Sequence, residues 1–450
     1  MKRTLTLILA LMLLLCSAAL AESPEGYPEV VEGIDFGGQT IYIYDYWTTP
    51  AQAERQADPD DETAALYAYR DWIEATYNCK IIQIQKGDWS TNVEQLINFV
   101  NAGVASELCL YILPPDYVGS PMANDYFAPW DGNELIDLND EKWNQADIEF
   151  MTYHGRVYGV YAGQTEPRQC LFFNKSVLEN AGIDWNAIYD MQADGTWTWD
   201  AFEDLLAKIQ QDTDNDGVID IYGFTGDESD LYMMSVFSNN ASFFDLDENG
   251  QLVPTMNSEA ALQGLNWAKR ILATYGRPQE NWDDYKESFK TGKMGFDVYQ
   301  TYAGFNPDSE LSDTDFDWGC VAFPKGPNEG SDYVHIASDN LCVIPNIYDA
   351  DTVAKLAFIY DMWSNATPGY DDEYGWIGQK YSYTDERAVD ETYAMLREAE
   401  HSVANKALLL GGKNEILGSP LLWQMWREPA EVVEESMPQW QALCDTYNGK

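Results

Sequence analysis

Gln39-Thr-Ile-Tyr-Ile-Tyr44, Lys80-Ile-Ile-Gln-Ile-Gln85 and Leu108-Cys-Leu-Tyr-Ile-Leu113 are three short runs rich in β-branched and aromatic residues. Each is too short for a typical helix and has the composition of a strand. Between the first two, residues 62–77 place Leu66, Tyr69, Trp72 and Ile73 on one helical face. Between the second and third, Val93, Leu96, Ile97 and Val100 do the same. The order β-α-β-α-β predicts a largely parallel sheet with helices on its faces. Ligands of such sheets bind beyond the carboxyl ends of the strands. There the runs continue into Asp45-Tyr46-Trp47, Lys86-Gly87-Asp88-Trp89 and Pro114-Pro115-Asp116-Tyr117. Trp47, Trp89, Asp116 and Tyr117 are therefore the first candidate ligand contacts.

Toward the carboxyl end a second set of elements follows. Residues 157–161, 169–173, 293–298 and 318–323 read as strands. Residues 199–209 read as a helix that turns Phe202, Leu205, Leu206 and Ile209 inward, with Thr198 as its cap. Trp197 and Trp199 flank that start and read as packing residues. Asn257-Ser258 opens another helix carrying Ala261, Leu265, Ala268 and Leu272, and Asp349 opens one that runs to about Trp363. Phe244-Asp-Leu-Asp-Glu-Asn-Gly250 has strand-like flanks and reads as a hairpin turn.

In the other direction lies a leader. Lys2 and Arg3 precede an apolar run over residues 5–15, which is too short to span a bilayer. Ala19-Leu20-Ala21 supplies a cleavage signal, so residues 1–21 read as a signal peptide and the product as exported, to the periplasm or the cell surface. Leu15 before Cys16 argues against a lipoprotein anchor. The 450 residues suit two domains. The formal charge is −49, and loss of Lys2 and Arg3 with the leader makes it two units more negative. Such a chain is repelled by nucleic acid and by anionic lipid. The six cysteines after Cys16 are scattered without a CxxC pair, which argues against a zinc or redox motif. Buried thiols and disulfides both remain open.

Asp212-Thr-Asp-Asn-Asp-Gly-Val-Ile-Asp220 has the spacing of a calcium loop. Asp212, Asp214, Asp216 and the Val218 carbonyl are candidate ligands, Gly217 sits at the sharp turn, and Asp220 acts directly or through water. The acid expected at the twelfth position is replaced by Gly223, and an acidic surface loop is the simpler alternative. Enzyme signatures are poor. The three histidines occupy unrelated contexts, and there is no HExxH, GxSxG or phosphate-cradling loop. A pair of carboxylates for glycoside hydrolysis is unavoidable among 75 acids, and nothing singles one out.

Several segments line up in order. They are His154-Gly-Arg-Val-Tyr-Gly-Val160, Leu171-Phe-Phe-Asn-Lys175 with Asn180-Ala-Gly-Ile183, Gly195-Thr-Trp-Thr-Trp-Asp-Ala-Phe202, the Asp212 loop with Tyr222-Gly-Phe224, Phe289-Lys-Thr-Gly-Lys-Met294, and Trp318-Gly-Cys-Val-Ala-Phe-Pro-Lys-Gly-Pro327. Together, over roughly residues 150–330, they resemble the type 1 extracellular solute-binding proteins of bacterial ABC importers. Tyr161 departs from the family's usual proline, and the proline that usually precedes the Trp197 segment is absent.

The resemblance implies a two-lobed α/β periplasmic-binding-protein-like fold, with a ligand cleft between lobes joined by crossing hinge strands. The first lobe would take residues 22–160 with 339–366, and the second 161–338 with 367–450. The implied function is non-catalytic capture of a mono- or oligosaccharide by a monomer, with delivery to the transmembrane subunits of an ABC permease. Rings bind sugar faces, and polar side chains fix hydroxyls. Asn239, Asn240, Tyr299, Tyr302, Asp339 and Trp376 join the strand-end residues as candidates on that ground. A secreted carbohydrate-active enzyme, a binding protein for a non-sugar solute and a sensor module stand as alternatives.

Overall fold

A computed structural model describes residues 23–281, 284–304, 311, 314–370 and 385–450. The leader and Trp376 lie outside the described residues.

The first sheet is built from strands with two apolar faces. In β1 (Gln39–Asp45), Ile41 and Ile43 enter one core and Tyr42 and Tyr44 pack toward the other. Helix α1 (Asp61–Thr76) starts where the Asp60 carboxylate accepts the Thr63 N–H, and it buries Tyr69 and Ile73. β2 (Cys79–Gln85) follows, then α2 (Asn92–Ala102), which stops at Gly103 in the left-handed region (φ 65°). In β3 (Leu108–Leu113) all six residues are buried, with Leu108, Leu110 and Ile112 on one face and Cys109, Tyr111 and Leu113 on the other. Burial on both faces is what a parallel sheet covered by helices requires. β1 pairs in parallel with β2 and β3, Ile41 lying opposite both Ile81 and Leu108. A two-residue β4 (Phe127–Ala128) closes this part.

The second sheet begins with β5 (Gln169–Asn174), wholly buried. Helix α3 (Trp199–Ile209) is capped by Thr198 and buries Phe202, Leu205, Leu206 and Ile209. β6 (Tyr222–Gly226) leads directly into α4 (Glu228–Phe237), and α5 (Glu259–Tyr275) starts at the Ser258 cap. β7 (Met294–Gln300) and β8 (Trp318–Val321) complete a sheet of order β8-β5-β7-β6, in which β6 and β7 are parallel. Trp197 is fully buried with its indole N–H donated to the Ala322 carbonyl (2.8 Å), and Trp199 stacks on Trp267 at 4.3 Å. Both are core residues, each contributing on the order of 2–3 kcal/mol by burial. Residues 244–246 and 252–254 form an antiparallel hairpin.

The chain then returns to the first sheet. β9 (Leu341–Pro345) inserts between β3 and β4, antiparallel to both, giving the order β2-β1-β3-β9-β4. Helix α6 (Ala350–Trp363) covers it, and Tyr69 donates its hydroxyl to the Met362 carbonyl (2.9 Å). The final helix α7 (Pro429–Tyr447) packs beside the hairpin, with Trp440 against Phe244.

One predicted strand is shorter than its pattern. Over 157–161 the ladder is confined to Arg156–Val157, with a single further bridge from Val160 to Cys342. Between them, Gly159 is pressed so closely on Met151 and the Cys342 carbonyl that a Cβ would meet them at 2.7 and 3.1 Å. The backbone there serves close packing rather than a continued ladder. All six described cysteines are buried as free thiols.

Candidate functional site

The ends of the two sheets face a cavity of about 1120 Å³. Its first wall comes from the turns after β2 and β3. Buried Asn92 donates its amide to the carbonyls of Asp45 (2.9 Å) and Lys86 (3.0 Å), tying two strand ends together. Asp88 accepts the N–H groups of Ser90 and Thr91, which fixes the turn and leaves Trp89 exposed on the rim. Pro115–Tyr117 forms a single 3₁₀ turn after β3. It sets Tyr117 edge-on to Trp89 at 4.9 Å, with Asp116 beside them.

The second wall begins where β6 ends. Gly226 has φ 149°, and any Cβ there would lie 2.5 Å from the Val298 carbonyl oxygen on β7. Next, Asp227 caps α4 by accepting the N–H groups of Ser229 (2.8 Å) and Asp230 (3.3 Å). Asp230, fully buried, and Met233 reach the cavity from this helix. Gln300, at the end of β7, donates to the Asp230 carboxylate at 3.3 Å. Gln169, at the start of antiparallel β5, accepts the Ile336 N–H (2.9 Å) and also lines the space.

A third part comes from residues 405–423. Short turns at Lys406–Leu409, Asn414–Gly418 and Leu422–Gln424 bring Asn405, Leu408, Lys413, Asn414, Glu415 and Trp423 to the cavity.

The electrostatics are lopsided. Burial raises the Asp116 carboxyl above the ordinary carboxylate range despite the Lys413 ammonium nearby. Burial also raises Asp230, and the Asp227 charge adds to the effect. Burial alone would pull Lys413 down, yet Asp230, Asp227 and Asp116 hold it above the usual lysine range. One ammonium thus stands among three carboxylates.

Of the sequence candidates, Trp89, Asp116 and Tyr117 line the cavity. The others are placed differently. Trp47 is 40 % exposed, but its ring lies edge-on to Tyr46 and does not line the space. The buried Asp45 carboxylate, accepting the Trp47 and Thr48 N–H groups, sets that direction. Asn239 is fully buried and committed to the fold, donating to Ala260 and Gln263 and accepting from Asn328. Asn240 sits in the left-handed region (φ 50°) and holds the Glu329 carbonyl at 3.0 Å. The hydrogen bonds of both asparagines hold a turn of the fold. Tyr299 is buried with its hydroxyl 2.5 Å from that of Tyr302, and neither lines the cavity. Tyr299 alternates away from Gln300, which does line it, and Tyr302 falls in the 3₁₀ turn Thr301–Gly304 beyond the strand. Asp339 is buried in a separate small pocket with Asp147, Pro115, Phe150 and Asn405.

In the Asp212 loop, one carboxylate oxygen from each of Asp212, Asp214 and Asp216 lies within 4.8 Å of the others. That convergence suits a hard cation. The Asp220 carboxylate turns instead to the Thr213 N–H and hydroxyl. It supports the loop from behind and is not one of the converging groups.

The sequence reading missed the wall at Asp227–Met233. Its signal was present, because Gly226-Asp-Glu-Ser-Asp230 is a helix start placed directly after a strand. The turns over 405–423 offered no comparable period.

The family model described as bacterial extracellular solute-binding protein matches residues 68–378. No curated protein matches the sequence significantly. Among solved structures, the cyclic alpha-maltosyl-1,6-maltose binding protein from Arthrobacter globiformis is similar at TM-score 0.61 and 13% identity, over 90% of this chain and 99% of that one. UspC of M. tuberculosis gives 0.59 and 17%, over 90% and 100%. The ABC substrate-binding protein from Listeria monocytogenes in complex with cycloalternan gives 0.57 and 13%, over 91% and 99%. The fold is the two-lobed one of these binding proteins.

Proposed function

The chain belongs to the bacterial extracellular solute-binding proteins, and from that premise we propose that it captures an oligosaccharide and delivers it to an ABC permease. The observation that carries this reading is the cavity between the strand ends of the two sheets. At about 1120 Å³ it slightly exceeds the usual range for small-molecule sites, roughly 300–1,000 Å³, so it suits several sugar units. Its rings, Trp89, Tyr117 and Trp423, match sugar faces, and Gln169, Gln300, Asn405 and Asp116 match hydroxyls. Similar proteins are described as binding a cyclic maltosyl-maltose and cycloalternan. Capture proceeds without turnover, by a monomer exported through the leader and working in the periplasm or at the cell surface.

The test is calorimetry of the mature protein with neutral and charged oligosaccharides, followed by chromatography of the recovered ligand. Binding with the sugar recovered intact supports the proposal. Recovery of shortened sugar would favour a carbohydrate-active enzyme. Absence of binding to any saccharide would overturn the reading.

A second proposal concerns the Asp212 loop, which would hold calcium through Asp212, Asp214, Asp216 and the Val218 carbonyl. The three converging carboxylates favour it. The ion would stiffen a loop between α3 and β6.

A further inference from the structure

The acids of the cavity outnumber its cations. Asp116, Asp227, Glu228, Asp230, Glu280 and Glu415 line it, while Lys413 is the one cation among the described lining residues. The first turn of α4 offsets part of this, since a helix N-terminus carries roughly half a positive charge. That does not balance three carboxylates at the same turn together with three more around the walls.

Neutral sugars can donate hydroxyl hydrogen bonds to carboxylates. They leave the net charge unchanged, however, and they displace the water that screens it. Asp230 makes the difficulty specific. Its side chain is fully buried, and Gln300 donates to Oδ2 at 3.3 Å. The Gln169 amide also favours the charged carboxylate, yet no donor completes a hydrogen bond to the other oxygen, Oδ1, although the residue lines the cavity. Lys413 supplies field there but no hydrogen bond to that oxygen. A buried acceptor left without a donor is costly, more so when charged. A ligand can supply that donor, and one that also brings positive charge relieves both deficits.

We infer that the ligand is a saccharide bearing a protonated amine, its ammonium received by Asp230 with Asp227 and Glu228 around it. The inference rests on the carbohydrate-capture reading and adds the ligand's charge to it. The rings of Trp89 and Tyr117 on the opposite wall then hold the sugar body, while α4 selects the amine. Because Asp230 ionises later than an ordinary carboxyl, affinity rises with pH from the acid side as it ionises, until the amine loses its own proton.

The test is calorimetry of the mature protein with glucosamine oligomers, the N-acetylated oligomers of equal length, malto-oligosaccharides and spermidine. The glucosamine oligomers should bind at least about tenfold more tightly than their neutral acetylated counterparts. That preference should shrink at high salt. It should disappear in Asp230→Asn and weaken in Glu280→Gln, which changes only the exposed rim. If neutral oligosaccharides bind and the amine gives no advantage, the charge inference fails while carbohydrate capture stands. Spermidine binding without any saccharide binding overturns both. Silence of every amine-bearing saccharide overturns the inference, whatever else binds.

Discussion

The two walls of the cavity differ in kind. The wall from the first sheet is aromatic, with Trp89 and Tyr117 edge to face at 4.9 Å and one carboxylate, Asp116, between the lobes. The wall from α4 is acidic, with Asp227, Glu228 and Asp230 in one helical turn whose backbone is pinned by Gly226 against β7. Rings give contact area with little directional demand. Buried carboxylates give direction and charge, and they tolerate few alternatives. The difference assigns affinity mainly to the first wall and discrimination mainly to the second. Each of the following changes presses on one side of that division.

The largest effect is expected on the acidic wall. A Cβ at Gly226 would lie 2.5 Å from the Val298 carbonyl oxygen and 2.8 Å from its nitrogen, at a φ of 149°. Gly226→Ala should therefore destabilise the second sheet by roughly 3 kcal/mol or more. Thermal denaturation should show it, together with loss of ligand binding. A variant with unchanged melting and binding would mean that β6 can shift without disturbing the helix start it positions.

Trp89→Ala tests the aromatic wall alone. The ring is 45 % exposed, so the free protein should melt as before. Affinity for the sugar should fall by about 2 kcal/mol, or some thirtyfold, the loss expected of an aromatic anchor that a ligand covers. Titration calorimetry on the variant and the parent decides it. Equal affinities would move the binding energy to the acidic wall and Trp423.

Beside the cavity, in the small pocket that shares Asn405 with it, sits a titrating pair that serves neither wall directly. Burial and mutual repulsion raise the carboxyl of Asp147 above its ordinary range, and burial raises Asp339, although Thr165 and Arg168 favour its charged form. Both are buried near Asn405, which lines the cavity. A carboxyl raised in the folded state keeps its proton where the unfolded chain has lost it. The pair's contribution to stability is therefore full at acid pH and declines as pH rises above about 4, by up to about 1.4 kcal/mol per pH unit for one proton. Asp147→Asn should flatten that decline, read as melting temperature between pH 5 and 9. A parallel slope in both proteins would place the pH response elsewhere.

The same contrast separates what the residues announced from what they concealed. The first wall was legible because β1, β2 and β3 are short apolar runs in β-α-β order, and their ends could be counted to Trp89, Asp116 and Tyr117. Counting gave position along the chain but not side-chain direction, so Trp47 looked equivalent until Asp45 turned it aside. Asn239 and Asn240 looked like ligand contacts because amides that hold the fold and amides that hold a ligand have the same sequence signature. The wall over 405–423 was illegible for a different reason. Single 3₁₀ and π turns carry no 3.6 or 2.0 period, so Lys413 and Trp423 are brought in by tertiary packing alone.

The smallest effect belongs to the Asp212 loop, far simpler than either wall. Asp214 accepts the Asp216 N–H through Oδ1 at 3.1 Å, a bond an asparagine oxygen can keep. Asp214→Asn therefore removes a ligand charge while leaving the turn intact, and without calcium it should change stability by less than about 0.5 kcal/mol. With calcium at about five times its dissociation constant, the parent should gain about 1 kcal/mol and the variant less. Melting curves with calcium and with EDTA separate the two. An equal response in parent and variant would make the three carboxylates a solvated turn whose backbone bonds suffice without an ion. The acidic wall would then be the part of the molecule whose negative charge is organised for a ligand.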